Sequence, residues 1–364
     1  MSKYIYQRKN WTNFTWDYSK IAVVLGEVHN LQGKLSGTMN ALGFSLKSEA
    51  MLETLTLDIM KSSEIEGEKL NKKQVRSSIA RRLGMEMGGL AFVNRDVEGV
   101  VEMLLDATQN YTQELSEDRL FGWHSALFPS GRSGLYKIEV GKYRTGEMQI
   151  VSGMLGNEKV HFEAVLAENV KPEMDKFINW VNKKSKIDAV LKSAIAHLWF
   201  VTIHPFDDGN GRIARAISDM LLARSDGSSQ RFYSMSNQIL KERKKYYSAL
   251  EKTQYGDADI TLWLNWFLNC LKNSLINTES VLKTVFRKAN FWEKHKNTKL
   301  NERQRLMINN LFEDFFGKLT SSKWAKITKT SSDTALRDIK DLIEKGILQQ
   351  EKEGGRSANY TLQK

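Results

Sequence analysis

The sequence predicts a mainly α protein, with a β-hairpin region near its middle and a small helix-and-hairpin module at its C-terminus. Three observations predict it. The 364 residues contain only three prolines, Pro129, Pro172 and Pro205. So few breakers favour helices, because proline lacks a backbone donor and clashes with the preceding turn. Apolar residues recur at helical spacing, most clearly at 190, 191, 194, 195, 198 and 201. Between 129 and 160 the texture changes: glycines stand at 131, 134, 141, 146, 153 and 156, and polar and apolar residues alternate about Gly146, which is a hairpin signal.

The opening stretch, YIYQRKNWTNFTW from Tyr4, is rich in aromatics that are expected to pin an N-terminal segment onto a helical body. Helical patterning then covers about 18–32 and 45–61. It breaks over 62–70 (SSEIEGEKL) and resumes over 96–111 and 117–128, ending at Pro129. Pro172 is expected in the first turn of a helix. The apolar stripe over 187–203 must stop near His204, since the residue before a proline is pushed out of the helical region. Near the C-terminus, helical stretches at 303–315, 320–328 and 332–345 precede GILQQEKEGGRSANYTL, which reads as two strands around a glycine turn. Three helices and a hairpin form the pattern of a winged helix-turn-helix. The expected organisation is a helical segment over 1–90, a core over 91–280, and a linker helix with the winged helix over 281–364.

Composition excludes several classes. With 41% apolar and 27% charged residues the chain is neither fibrous nor disordered. One cysteine, Cys270, excludes an intramolecular disulfide framework and a cysteine zinc cluster. No apolar run approaches the ~18 residues that span a bilayer. The first twenty residues carry Lys3, Arg8, Lys9, Asp17 and Lys20, so neither a signal peptide nor a membrane partner is expected, and the expected location is cytoplasmic. The net charge of +11 is uneven: residues 281–364 hold 18 Lys and Arg against 10 Asp and Glu. The stretch 300–364 is therefore a candidate contact for DNA or another acidic partner. Lys323, Lys326, Lys329 and Arg337 lie on or near the recognition helices and Arg356 in the wing. Asp333, Asp338 and Asp341 dilute that face, and a solvated basic surface accounts for the charge equally well.

The densest chemistry is HPFDDGNGRIAR, residues 204–215. A helix ends, a glycine-rich loop follows, and a second helix begins near Asn210. A helix start offers unpaired N–H groups and a positive dipole end. Gly209 and Gly211 let the backbone approach a ligand closely. Arg212 and Arg215, three apart, share a helix face. Together they suit a polyphosphate. Asp208 places a carboxylate where Mg²⁺ can bridge to phosphate oxygens, and His204 has a side chain suited to taking a proton near neutral pH. Each residue alone is ordinary; their co-occurrence within twelve positions is not. The acidic spacing of a calcium loop and the GxxxxGK[ST] of a P-loop are both absent.

HPFDDGNGRIAR resembles, at every defining position, the HPFx[D/E]GNGRxxR signature of the Fic (filamentation induced by cAMP) family. GKYRTGEMQIVSG, from Gly141, resembles that family's flap hairpin. HFEAVLAENVKPEMDKFINWVN, from His161, resembles the helix leading into its core, and ERKKYYSALE, from Glu242, its nucleotide-side helix. The resemblance covers roughly 110–275 and implies a Fic-type helical core with a β-hairpin flap. It also implies Mg²⁺-dependent transfer of AMP from ATP to a protein hydroxyl. His204 would deprotonate the Ser, Thr or Tyr acceptor and Asp208 would hold Mg²⁺. Gly209, Asn210 and Gly211 would cradle phosphates, Arg212 would meet the β- and Arg215 the γ-phosphate. Tyr246 and Tyr247 would border the adenine or ribose, and residues 143–152 would dock the target, which includes the protein itself. Ser62-Ser63-Glu64-Ile65-Glu66-Gly67 resembles the family's inhibitory [S/T]xxxE[G/N] motif, which implies that Glu66 pairs with Arg215 and bars the γ-phosphate. His197 reads as a packing or orienting residue. The alternatives are a Fic-containing DNA-binding regulator, removal of AMP from a modified target, or transfer of another nucleotide or phosphoryl group.

Overall fold

The computed structural model describes residues 3–41, 44–85, 92–154, 157–312, 315, 317–351 and 358–363. They fall into two compact units, Met1–Glu279 and Ser280–Lys364.

In the first unit Tyr4 is fully buried, its ring 5.0 Å from both Phe162 and Tyr255, so the aromatic opening does pin the N-terminus. Helix α1 (Tyr18–Asn40) starts on an Asp17 cap. It runs on beyond the expected 32, through Gly33 and Gly37, and buries Met39 near its end. Helix α2 (Phe44–Ile65) also outruns its expected end, because Ser63 and Ile65 are wholly buried and hold the last turn in place. The stretch 62–70 is thus a helix end rather than a simple break. Helix α3 (Lys72–Arg82), capped by Asn71, has no counterpart in the sequence reading. Helices α4 (Arg95–Gln109) and α5 (Glu117–Leu127) follow, with Ser116 capping α5.

The glycine-rich region holds two small hairpins. Strands β1 (Arg132–Ser133) and β2 (Tyr136–Lys137) pair antiparallel, as do β3 (Gln149–Met154) and β4 (Asn157–Glu163), with a bulge between Ile150 and Val151. The larger hairpin is displaced from the expected 143–152: residues 143–148 are not in a strand, because Arg144 is tied to the loop at 203–205. Gly156 lies outside the described residues. Helix α6 (Ala167–Asn182) carries Pro172 inside it rather than in its first turn.

Helices α7 (Ala189–Ile203) and α8 (Asn210–Asp226) pack along one another at the centre. From Val190 to Ile203 every residue of α7 except Lys192 is buried, the mark of a helix enclosed on all sides. Helices α9 (Met235–Lys241), α10 (Arg243–Gln254) and α11 (Thr261–Lys294) follow, and α2 packs against α9 and α3.

The second unit contains α12 (Glu302–Phe312), α13 (Ser321–Thr328) and α14 (Ser332–Glu344), then antiparallel strands β5 (Leu348–Gln350) and β6 (Tyr360–Leu362). Its core gathers Met307, Ile308, Trp324, Ile339, Leu342 and Ile347. Thr320 and Ser331 cap α13 and α14. Arg356 lies outside the described residues. Among those described, no helix is long and apolar enough to cross a membrane.

Candidate active site

Helix α7 closes with the His204 N–H on the Phe200 carbonyl, 2.9 Å away. His204 itself takes a left-handed backbone (φ +53°), uncommon for a side chain with a Cβ. Pro205 forbids helical continuation, and Arg144 holds the turn: its Nε donates to the His204 carbonyl at 2.8 Å and its backbone N–H to the Pro205 carbonyl at 2.9 Å. His204 Nδ1 lies 3.2 Å from the Val201 carbonyl. A carbonyl can only accept, so Nδ1 carries the proton and Nε2 is left to receive one. Burial pulls the imidazole down to about 4, Arg144 adds to that, and the Val201 carbonyl, Glu66 and Asp208 oppose it. The ring is therefore neutral at physiological pH.

The loop is built from the backbone outward. Asn210 closes a ring with Phe206, accepting its N–H at 3.0 Å and donating to its carbonyl at 2.7 Å. The Asn210 side chain thus shapes the loop, and the cradle falls to backbone N–H groups. His124 supports the loop from α5. The Gly141 N–H donates to its Nδ1 at 3.1 Å, so Nε2 holds the proton and donates to the Asp208 carbonyl at 3.2 Å. Its ring stacks on Phe206 at 4.3 Å, and burial lowers its pKa to about 4. Asp207 accepts the Glu139 N–H at 2.9 Å. The Asp208 carboxylate accepts the Ser133 hydroxyl and lies 4.0 Å from Arg212.

Helix α8 starts at left-handed Gly209 with no side-chain cap, which leaves its first N–H groups to an anion. Arg212 and Arg215 are each 3% exposed, and Arg212 Nε and Arg215 Nη1 are buried without a hydrogen-bond partner. Arg215 donates from Nε to the Ser62 hydroxyl and from Nη2 to the Ser62 carbonyl, both at 2.9 Å, and from Nη2 to Glu66 at 2.8 Å. A Cβ on Gly211 would stand 2.2 Å from Glu66 Oε1, so only glycine lets the carboxylate rest on the helix start. Arg212 donates to Glu68 at 2.8 Å and lies over the Phe128 ring.

Tyr246 turns into the core: its hydroxyl is 2.9 Å from His197 Nε2 and its ring packs against Trp266. Ser218 donates its proton to the Ala214 carbonyl, so it accepts from His197 Nδ1, and Tyr246 then donates to Nε2. His197 is an orienting residue in a buried chain. Tyr247 is 40% exposed, and the charges of Glu66 and Arg215 both act on its phenol. The structure thus gathers His204, Asp208, Gly209, Gly211, Arg212 and Arg215 at the α7–α8 junction, with Glu66 laid across it. His124, Ser133, Arg144 and Glu68 were not singled out from sequence. Glu68 alone carried a signal, an acidic residue two places beyond the inhibitory glutamate. Among the described residues no group of three or more His, Cys, Asp and Glu forms a metal cluster.

A neutral histidine beside a glycine-lined helix start with two buried arginines is an arrangement chemically suited to an anion such as a phosphate. Residues 114–222 match the Fic/DOC family. Residues 4–85, which carry Glu66 and Glu68, match a domain of unknown function, DUF4172. Protein adenylyltransferase fic-1 of Caenorhabditis elegans is 25% identical over 245 residues, 64% of this chain and 43% of that protein. A probable protein adenylyltransferase of Aquifex aeolicus is 37% identical over 79 residues, 22% of each chain. The chain spans less than half the length of either relative. A crystal structure of a Fic family protein from Desulfovibrio desulfuricans G20, 20% identical, matches the fold with a TM-score of 0.54 over 94% of this chain and 95% of that one.

Proposed function

We propose that this protein is an Mg²⁺- and ATP-dependent protein adenylyltransferase, autoinhibited by Glu66, that modifies a Ser, Thr or Tyr hydroxyl on a target protein or on itself. The observation that carries this reading is Glu66 lying on Arg215 and across Gly211, where a triphosphate would put its terminal phosphate. A carboxylate and a phosphate want the same arginine fork, so one excludes the other. With Glu66 displaced, the acceptor oxygen bonds to the α-phosphorus and its proton passes to His204 Nε2. The bond from the α-phosphorus to the oxygen bridging it to the β-phosphorus breaks, and pyrophosphate leaves. Positioning and charge neutralisation by Arg212, Arg215 and the α8 N–H groups supply the catalysis.

Asp208 suits Mg²⁺: its carboxylate is 44% exposed, and Mg²⁺ is commonly held by one or two carboxylates with substrate phosphates and water. When bound, the ion supplies neutralisation of phosphate charge. The target would dock on the flap, a two-stranded sheet with outer edges to which an extended segment can add.

The test is α-labelled ATP with cell lysate. Glu66→Gly is expected to raise label transfer at least about tenfold, and His204→Ala in that background to abolish it. No gain from Glu66→Gly removes the inhibitory assignment. Transfer of γ- rather than α-label makes the reaction phosphoryl transfer, and release of AMP from a pre-labelled target makes it removal.

A second reading concerns the C-terminal unit as a winged helix that binds DNA. Asp338 is turned inward onto Asn301 and Arg303, and Asp341, still partly exposed, is paired with Gln304 and Lys345, while Asp333 stays exposed. Lys326, Lys329, Arg337 and Lys340 stay exposed on α13, α14 and the turn between them. This supports a basic face less diluted than the sequence implied. A gel shift with random duplex DNA is expected to show binding that weakens steeply with salt; its absence at low salt leaves a solvated surface.

A further inference from the structure

We infer that Glu68 is a second restraining residue: it decides whether the resting site admits a β-phosphate, as Glu66 decides for the γ-phosphate. This deepens the adenylyltransferase reading and rests on it. The starting point is how α2 ends. The Glu66 N–H donates to the Ser63 carbonyl at 3.1 Å, and the Gly67 N–H to the Glu64 carbonyl at 3.0 Å. The Glu68 N–H returns to the Ser63 carbonyl at 3.0 Å. Gly67 makes this possible with φ +89°, a left-handed helix-terminating turn that glycine adopts without steric cost. Residues 66 and 68 are therefore held on one closed turn, and their carboxylates straddle the start of α8.

Their partners sit one helical turn apart. Glu66 meets Arg215 and Glu68 meets Arg212, each at 2.8 Å. Both guanidinium groups are buried, and an uncompensated buried cation is costly. Asp208, at 4.0 Å from Arg212, is a looser partner than Glu68. In the resting protein the two glutamates supply the charge that a diphosphate end would supply in the complex. Arg212 also keeps its Nε without a partner, a donor that the glutamate does not use and a phosphate oxygen can. Glu68 is 47% exposed and Glu66 31%, so the Glu68 pair is the more readily screened and displaced.

The two carboxylates then have different signatures. ADP ends at the β-phosphate and competes with Glu68 alone, ATP competes with both, and AMP with neither. The experiment is calorimetric titration of the full chain with Mg²⁺ and AMP, ADP or ATP, comparing the unmutated protein, Glu68→Gln, Glu68→Ala, Glu66→Gly and the Glu66→Gly, Glu68→Ala double variant. Removing Glu68 is expected to tighten ADP and ATP alike by roughly tenfold, the worth of one charge-assisted hydrogen bond. It should leave AMP unchanged. Removing Glu66 should tighten ATP and leave ADP unchanged, and the double variant should bind ATP more tightly than either. Thermal midpoints within a few degrees of the unmutated protein show that each variant is folded; Glu68→Gln keeps the shape should Glu68→Ala fail. Unchanged ADP affinity in a folded Glu68 variant, alongside tighter ATP binding and AMP transfer by Glu66→Gly, overturns the Glu68 role and leaves the wider reading standing. Failure of every variant to bind any nucleotide overturns both.

Discussion

Two helix ends meet at the candidate site, and they are held in opposite ways. The start of α8 is fixed by buried groups with no net charge change to make: His124 in one tautomer, the Asn210 ring, and an arginine that donates to carbonyls. The end of α2 is held against it by two ion pairs whose carboxylates are partly open to solvent. The first arrangement suits geometry that must be in place before reaction. The second suits a restraint that must come off. On the proposed function, the contrast teaches that one short constellation can be rigid in the half assigned to catalysis and removable in the half assigned to regulation.

Arg144 offers the largest way to break that contrast. It donates to the carbonyls of His204, Gly146 and Val165, and at 3.4 Å to that of Ile203. Arg144→Met fills similar volume but strips these buried acceptors of their donor. The expected loss is about 3 kcal/mol of stability, read as a lower urea midpoint at unchanged slope. AMP transfer in a Glu66→Gly background should fall at least about a hundredfold while the protein is still folded. Glu66→Gly by itself should move the urea midpoint far less. Equal destabilisation by the two substitutions would mean that both helix ends are structural and that the restraint is not separable.

How much of this was legible follows from how far apart the partners lie in sequence. The start of α8 was readable because its chemistry is local: Gly209, Gly211, Arg212 and Arg215 act within two turns. Helix α7 was readable from its apolar stripe at 190, 191, 194, 195, 198 and 201, and the structure adds that it is buried on nearly every face. Arg144 and His124 were not, because their partners stand 60 and 84 residues away and nothing beside them in sequence marks the role. The same arginine displaced the flap: with residue 144 anchored to the loop at 203–205, the alternation around Gly146 does not pair, and the strands form beyond it. The end of α2 reads as a break because Glu64, Glu66 and Glu68 look like a solvated stretch, whereas Ser63 and Ile65 are buried, Glu64 pairs with Lys61, and Glu66 and Glu68 face Arg215 and Arg212. Helix α3 went unseen because it is so polar; Lys72 and Arg76 answer Glu53, and Arg81 and Arg82 answer Glu98.

Acid sharpens the contrast with a smaller effect, aimed at the rigid end. Burial lowers His124 to about 4 and His197 to about 3, against about 6.5 in an unfolded chain. Between those values the unfolded chain binds protons that the folded one refuses, so stability rises with pH there and is lost as pH falls. From pH 7 to pH 5 each ring should remove about 2 kcal/mol at most, seen as a falling urea midpoint. His197→Asn should start from lower stability at pH 7, because the Tyr246 and Ser218 contacts are disturbed, yet lose less on acidification. If its pH dependence matched that of the unmutated protein, His197 would not be a neutral ring in the fold, and it would have to be assigned as an imidazolium donating to both Ser218 and Tyr246.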